Sequence, residues 1–442
     1  MLEHFFKLRE NNTTWQREVS GGLTTFMAMA YIIFVQPVVM NAAGMDLESA
    51  MVATCLASAL ATFAMGFLAN YPLALAPGMG HNIFFTYVVV LTLDYTWQQA
   101  LGATFVSGSL FILLSFVGFR ERLVNAVPST LKNAIAVGIG LLISVVGLEW
   151  CGIVVDNPGT LVGLGDLTSS PVLISLVGLT VMSILLTLGV RAGILIGILT
   201  TLLVALATGM AQFQGVLATV PSIEPTLFKL DILGALQSGM ISIIFVFFFL
   251  DLFDTVGTLI GVTQEAGILR EDGTLPRARP ALLADAIGTS AGALLGASTV
   301  TCYIESATGV SAGARTGLAS IVTGLLFLLS IFFSPLTKMI GGGIDIGEGL
   351  VLYPIVAPAL VIVGCFMIKN VSRIAWDDFS EAIPAFLTIL IMPMTFSITE
   401  GIAFGFISYT LLKSVQGKFK EVPTLISVFA ILFVLRYIFL RT

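Results

Sequence analysis

Charge is scarce in this sequence. Only 10% of its 442 residues are Asp, Glu, Lys or Arg, where a soluble globular chain carries about 25%. Such a chain could not cover a surface facing water, which sets aside a soluble enzyme. The net charge of −6 also sets aside a nucleic-acid binder, which needs a basic surface. Histidine is rarer still: His4 and His81 are the whole complement, and a transition-metal site is not expected. Cys55, Cys151, Cys302 and Cys365 have no pair spacing, so neither a disulfide framework nor a metal knuckle is indicated. The first twenty residues lack an apolar stretch followed by a small-residue cleavage site, so no cleavable signal peptide is expected.

Apolar residues are plentiful. They make up 57% of the chain, which excludes disorder and leaves a polytopic helical membrane protein. A span needs about 20 apolar residues, so the length accommodates about fourteen spans and no sizeable soluble domain. Apolar runs lie near 20–40, 48–69, 72–93, 98–119, 131–150, 171–190 and 192–209, then near 233–261, 280–296, 298–315, 317–334, 350–368, 382–396 and 399–414. A further run at 422–440 is left over. With the N-terminus inside, sixteen of the twenty Lys and Arg fall in cytoplasmic segments, against Lys229 and Lys338 outside. That bias sets the expected orientation. It makes 422–440 awkward, because Arg441 should be inside like the basic stretch before the run, so a surface or re-entrant helix is expected there.

Seven spans in each half make the second half run inverted relative to the first. In inverted-repeat carriers the site forms where discontinuous helices meet near the midplane. Each half contains one segment that cannot begin as an ordinary helix: YPLALAPGMGHNIFF in the third span and GASTVTCYIESATGV in the tenth. Proline removes a donor and β-branched runs favour extended chain. The pattern predicts short extended pieces at 72–77 and 297–302, each leading a half-helix, and crossing so that each satisfies the other's backbone groups. The half-helix starts near Gly80–Asn82 and Tyr303–Ser306 would turn a positive dipole end toward a ligand.

Three acids lie where acids are expensive. Asp251 and Asp254 interrupt IIFVFFFLDLFDTVGTLIG, and Glu305 follows the second extended piece. A carboxylate at the centre of a span costs at least about 2.5 kcal/mol and marks a functional site by default. The spacing of three puts Asp251 and Asp254 on one helical face, shared with Phe247 and Phe248. Asp254 could instead serve only to bond the backbone of a broken helix. Arg315, Asp285 and Glu265 fall at expected cytoplasmic ends, where snorkelling is cheap. His81, about 100° from Asn82 on a helix, is expected to face elsewhere.

ALAPGMGHNIFF, FFFLDLFDTVGTLIG, STVTCYIESATGVSAGARTGL and IPAFLTILIMPMTFSITEGIAFG together resemble nucleobase–cation symporter family 2, in its purine branch of adenine, guanine and hypoxanthine permeases. The resemblance covers essentially the whole chain. It implies an all-α polytopic protein with the uracil-permease-like fold, fourteen spans in a 7+7 inverted repeat. It implies a cytoplasmic segment 1–19, a core domain from 20–120 and 233–334, and a gate domain from 121–232 and 335–442. It also implies base binding between spans 3, 8 and 10. Asn82, Gly80, Phe247, Phe248, Asp251, Glu305 and Ser306 are then the substrate-binding candidates, and Asp251, Asp254 and Glu305 the proton-coupling candidates. Where an apolar residue is expected before the span 3 asparagine, this chain has His81.

The chemistry agrees. Carboxylates accept the N–H bonds of a purine edge, phenylalanine faces stack on its ring, and a proton driven by 100 mV supplies about 2.3 kcal/mol. The expected function is proton-coupled import of purine bases across the plasma (inner) membrane. Expected partners are a purine nucleobase, protons and the lipid bilayer, with a homodimer open, nucleic acid excluded, and no cofactor or metal. An intramembrane aspartyl protease needs its aspartates facing one another, and a channel needs a continuous polar pore. The strongest alternative is an anion carrier, or a uracil or xanthine carrier, of the same architecture.

The charge bias yields a direct test. In a cysteine-free background, a cysteine at Gly163 is expected to react with an impermeant thiol reagent in intact cells, and one at Gly273 to be protected. The reverse pattern overturns the orientation.

Overall fold

The computed structural model describes residues 2–117, 127–237, 239–268, 275–347 and 351–439. Arg120, Arg122 and Arg270, which belong to the charge bias above, together with Arg441 and the probe position Gly273, lie outside the described residues. Seven described helices are long and apolar enough to cross a membrane by themselves. Leu113, Ile184 and Leu203 remain exposed on helix flanks, as side chains solvated by lipid do.

The chain forms two compact units. The first comprises Met1–Val117 with Gly147–Ala359. After a short helix at Leu2–Phe6 come α1 (Trp15–Met29) and α2 (Ile32–Ala42), one span interrupted at Ala30–Tyr31, then α3 (Leu47–Ala64), which continues as a π-helical stretch to Ala69. Next come β1 (Leu75–Pro77), α4 (Met79–Ile83), which winds on as a π-helix through Thr92, and α5 (Trp97–Val117). Helix α6 (Ser129–Trp150) ends in this unit, followed by a hairpin of β2 (Val154–Asn157) and β3 (Leu161–Leu164), then α7 (Ser170–Thr187) and α8 (Gly193–Ala207). The second repeat supplies α9 (Ile241–Glu265), α10 (Ala278–Leu295), β4 (Val300–Cys302), α11 (Ser306–Ser311), α12 (Gly317–Ser330) and α13 (Ser334–Gly341).

The expected extended pieces are β1 and β4, paired antiparallel with Leu75 opposite Cys302, Ala76 opposite Thr301 and Pro77 opposite Val300. Flanking bonds run from Tyr303 N–H to Ala74 O and from Gly78 N–H to Thr299 O, both 3.0 Å. In an antiparallel pair, alternate residues turn their backbone groups away from the partner strand. Leu75 and Val300 are such residues, and each is answered by one buried threonine. Thr62 of α3 accepts from Leu75 N–H at 2.9 Å and donates to Leu75 O at 3.0 Å. Thr289 of α10 accepts from Val300 N–H at 3.3 Å and donates to Val300 O at 2.8 Å. The two threonines sit in corresponding spans of the inverted repeats. Pro77 has no N–H to satisfy, and its carbonyl receives the Tyr303 hydroxyl at 2.6 Å.

Small residues bring the surrounding helices close. A Cβ on Gly288 of α10 would lie 2.6 Å from that of Ala61 in α3, and one on Gly66 would lie 2.8 Å from the carbonyl of Gly317. Close backbone approach of this kind drives helix association in lipid. Glu18, fully buried in α1, accepts from the N–H groups of Arg315 and Thr316 at 2.8 and 3.2 Å. It thereby fixes the start of α12.

The second unit comprises Gly118–Val146 with Leu360–Thr442. Its helices are most of α6, most of α14 (Ala357–Ile368), α15 (Phe379–Thr395), α16 (Ile398–Val415) and α17 (Thr424–Phe439). Lys413, nearly buried, pairs with Glu381 at 2.8 Å. The run at 422–440, expected to be a surface or re-entrant helix, is helical over α17. It runs back along α16, with Arg436 paired to Glu400 at 2.9 Å and the Tyr437 ring 6.3 Å from that of Phe404. Arg441, on which that expectation rested, lies outside the described residues.

Replacing either strand-bonding threonine by valine leaves one N–H and one C=O buried without a partner, at about 1–3 kcal/mol each. Thr62→Val and Thr289→Val are each expected to lower the melting temperature in detergent by several degrees, while the serine variants stay near wild type. Unchanged melting of both valine variants would remove this account of the crossing.

Candidate functional site

The strand crossing sets where each polar side chain can sit. Past Pro77 the chain turns at Gly78 into α4. A Cβ on Gly78 would lie 2.6 Å from His81 Nδ1 and 2.7 Å from Thr301 Cγ2, so only glycine fits between the half-helix and the opposite strand. Gly80 lies half-buried in the first turn, its carbonyl accepting from Phe84 N–H. Asn82 is fully buried. Its Oδ1 accepts the hydroxyl of Ser298, just before β4, and its Nδ2 meets Met79 Sδ at 3.6 Å. Asn82 therefore ties the first repeat's half-helix to the second repeat's strand.

On the other side of the crossing, Glu305 follows β4 and accepts the Tyr31 hydroxyl at 2.8 Å. Tyr31 comes from the interruption between α1 and α2, so span 1 enters the site as well. Ser306, fully buried, receives Ala74 N–H on its hydroxyl at 3.0 Å. That bond gives Ser306 a part in holding the chain leading into β1.

The two aspartates of α9 differ in setting. Asp251 is fully buried, with the Thr289 hydroxyl 3.4 Å from its Oδ2. The Asp254 side chain is 40% exposed, and its Oδ2 lies 3.9 Å from Nδ1 of the buried His81. His81 thus faces an acid of span 8 from span 3. Phe247 meets Phe84 edge to face at 5.0 Å, and Phe248 stacks on Phe111 at 4.2 Å.

Asp285 corrects the sequence reading. It is not a snorkelling residue at a helix end but a fully buried carboxylate, accepting the Thr255 hydroxyl at 2.6 Å. Thr255 and Thr301 share a further bond of 2.9 Å, so a line of hydroxyls runs from β4 to Asp285. Arg315 and Glu265 do lie at helix ends. Arg315 donates to the carbonyls of Val310 and Ala314 at the end of α11, and Glu265 accepts from Ser311 at 2.7 Å. Among the described residues, no group of three His, Cys, Asp or Glu is disposed to hold a metal ion.

Sequence reasoning missed Tyr31, Ser298 and the role of Asp285. Tyr31 carried a weak signal, a hydroxyl inside an apolar span. Ser298 carried none, because its partner Asn82 is 216 residues away. The arrangement assembles acceptors: four carboxylates and an amide, delivered by spans 3, 8, 9 and 10 around two crossed strands. It suits a neutral ligand rich in N–H donors.

Comparison with known proteins comes to the same region of chemistry. A family model described as Permease family (Xan_ur_permease) matches residues 16–404. The chain is 42% identical to the adenine permease AdeP of Escherichia coli, over 100% of this chain and 96% of that protein. It is 43% identical to the guanine/hypoxanthine permease PbuG of Bacillus subtilis over the whole of both. Among solved structures it is similar to the transmembrane domain of a cyanobacterial bicarbonate transporter, BicA. The TM-score is 0.64 at 14% identity, covering 86% of this chain and 95% of that one.

Proposed function

The chain belongs to the Permease family, in the purine branch of nucleobase–cation symporter family 2, and from that premise we propose that it imports purine nucleobases by proton symport. The observation that carries the reading is the gathering of Asn82, Asp251, Asp254, Asp285 and Glu305 inside apolar helices at the β1–β4 crossing. A purine is flat, neutral and edged with N–H donors. Carboxylates accept those bonds, and a site for such a ligand must leave few polar groups unpaired.

Exposure divides the acids. The sequence reading ranked Asp251 and Glu305 as base contacts. Glu305 and Asp254 are the half-buried ones, while Asp251 is closed off behind Thr289. We therefore assign Glu305 and Asp254 to the base edge, with Asn82 beside them, and give Asp251 to proton coupling and to holding α9. Phe247 closes the apolar side. Phe248 supports it through Phe111. The core domain rocking against the gate domain alternates access to the site, with the N-terminus cytoplasmic in the plasma membrane.

An anion carrier is the competing reading, since the fold is shared with a bicarbonate transporter. The acids count against it: Glu305 is met by the Tyr31 hydroxyl and Asp254 by His81, so a bound anion would face these carboxylates.

Two measurements test this. In liposomes, the purified protein is expected to accumulate adenine, guanine or hypoxanthine when the outside is acidic, and a protonophore is expected to abolish accumulation. Accumulation that persists with the protonophore removes proton coupling. In calorimetry on folded variants, Asp254→Asn and Glu305→Gln are each expected to weaken base binding by about 1–3 kcal/mol, and Glu305→Gln also to lose driven accumulation. Wild-type affinity in both variants removes these residues from the base edge. Loss in Asp251→Asn and Glu305→Gln with wild-type affinity in Asp254→Asn restores the ranking read from sequence.

A further inference from the structure

Gln36 of α2 is fully buried, and among the described residues neither its Nε2 nor its Oε1 has a hydrogen-bond partner. Leaving both ends of an amide unpaired in an apolar interior is costly, and the residue is of a type seldom buried.

Its position is fixed by two neighbours. Thr86, one turn beyond Asn82 in the same span, donates its hydroxyl to the Val39 carbonyl at 3.0 Å. Spans 1 and 3 run in the same direction, so Gln36, about one turn before Val39, stands level with Asn82 and Ile83. Val38 turns toward α13, where a Cβ on Gly341 would lie 2.7 Å from its Cγ2. Gln36, two residues earlier, is about 200° around the helix from Val38, on the face turned away from α13. Span 1 already reaches the site through Tyr31 and Glu305.

We propose that Gln36 is a base-recognition residue whose amide meets the edge of the purine that carries the 6-substituent. This rests on the reading of the chain as a purine carrier and names a determinant within that site. An amide offers a donor and an acceptor side by side. A 6-aminopurine offers an exocyclic N–H next to a ring nitrogen that accepts. A 6-oxopurine offers a carbonyl oxygen next to a ring N–H. Rotated about its last bond, the same amide matches either, which an acceptor-only carboxylate cannot do. Bidentate pairing of this kind discriminates between base edges strongly enough to change affinity about tenfold to a hundredfold.

The test is calorimetry on the full chain in detergent, comparing wild type with Gln36→Met for adenine, hypoxanthine and unsubstituted purine. Gln36→Met is expected to bind adenine and hypoxanthine about ten to a hundred times more weakly. Its affinity for unsubstituted purine should change by no more than about threefold, and its melting temperature should be unchanged or higher because an unpaired amide has gone. If Gln36→Met does not fold, Gln36→Asn, which draws the amide back by one methylene, is expected to show the same selective loss. Equal affinities in wild type and variant overturn the inference. So does a uniform loss for all three ligands together with a lower melting temperature, which is the mark of a packing role. A wild-type protein that binds none of the three overturns the purine reading itself, and this inference with it.

Discussion

An extended backbone inside a membrane protein must have every N–H and C=O answered by protein, and the rest of this structure follows from how that is done. Strands β1 and β4 answer one another on their facing sides. Their outward sides are answered by side chains: Thr62 and Thr289 for Leu75 and Val300, and the Tyr303 hydroxyl for Pro77. Ser320 adds to this by accepting from Leu73 N–H at 3.0 Å and donating to the carbonyls around it. Each of these bonds joins the strand pair to a different span. The crossing is therefore also the knot that holds spans 2, 3, 9, 10 and 11 together.

The same device places the polar chemistry. A continuous helix would bury its backbone polar groups against one another and leave only side chains facing a ligand. Two broken spans meeting at the strand pair place Gly78–Asn82 beyond one end of it and Tyr303–Ser306 beyond the other. Asn82 then bonds across to Ser298, and Glu305 bonds back to Tyr31. These long-range bonds leave little freedom to the groups that carry them, and a rigid set of acceptors loses less entropy on binding a ligand.

What was legible in the sequence, and what was not, divides on a physical line. The extended pieces could be read because Pro72, Pro77 and the Ser-Thr-Val-Thr run violate helix propensity locally. Asp251, Asp254 and Glu305 could be read because an acid in an apolar run is costly wherever its neighbours are. Asp285 looked like an end-of-span residue, because its partner Thr255 is 30 positions away. Tyr31, Ser298, Gln36 and the two strand-bonding threonines look unremarkable in sequence, since threonine inside a membrane helix ordinarily bonds its own backbone one turn back. Thr54 and Thr104 do this, at 2.7 and 3.0 Å. Only the fold distinguishes Thr62 and Thr289 from them. The pairing of Arg436 with Glu400, 36 residues away, was likewise not legible in the sequence.

The likeness to BicA at 14% identity separates scaffold from cargo. A backbone geometry kept at that identity rests on few residue types: hydroxyls that can serve an extended strand, small residues where helices touch, and residues that cannot start a helix. None of these chooses the sign of what is bound. In the proposed function that choice lies with the side chains beside the strand pair, and here these include the acids Asp254 and Glu305. A bound anion 4 Å from Glu305 in its ionised form would be opposed by about 4 kcal/mol at an effective dielectric of 20. A neutral donor-rich base meets no such opposition and draws bonds from the same groups. Under the proposed function the acids serve selectivity as the threonines serve the fold, and the two sets meet at Thr289, which bonds the Val300 backbone while standing 3.4 Å from Asp251.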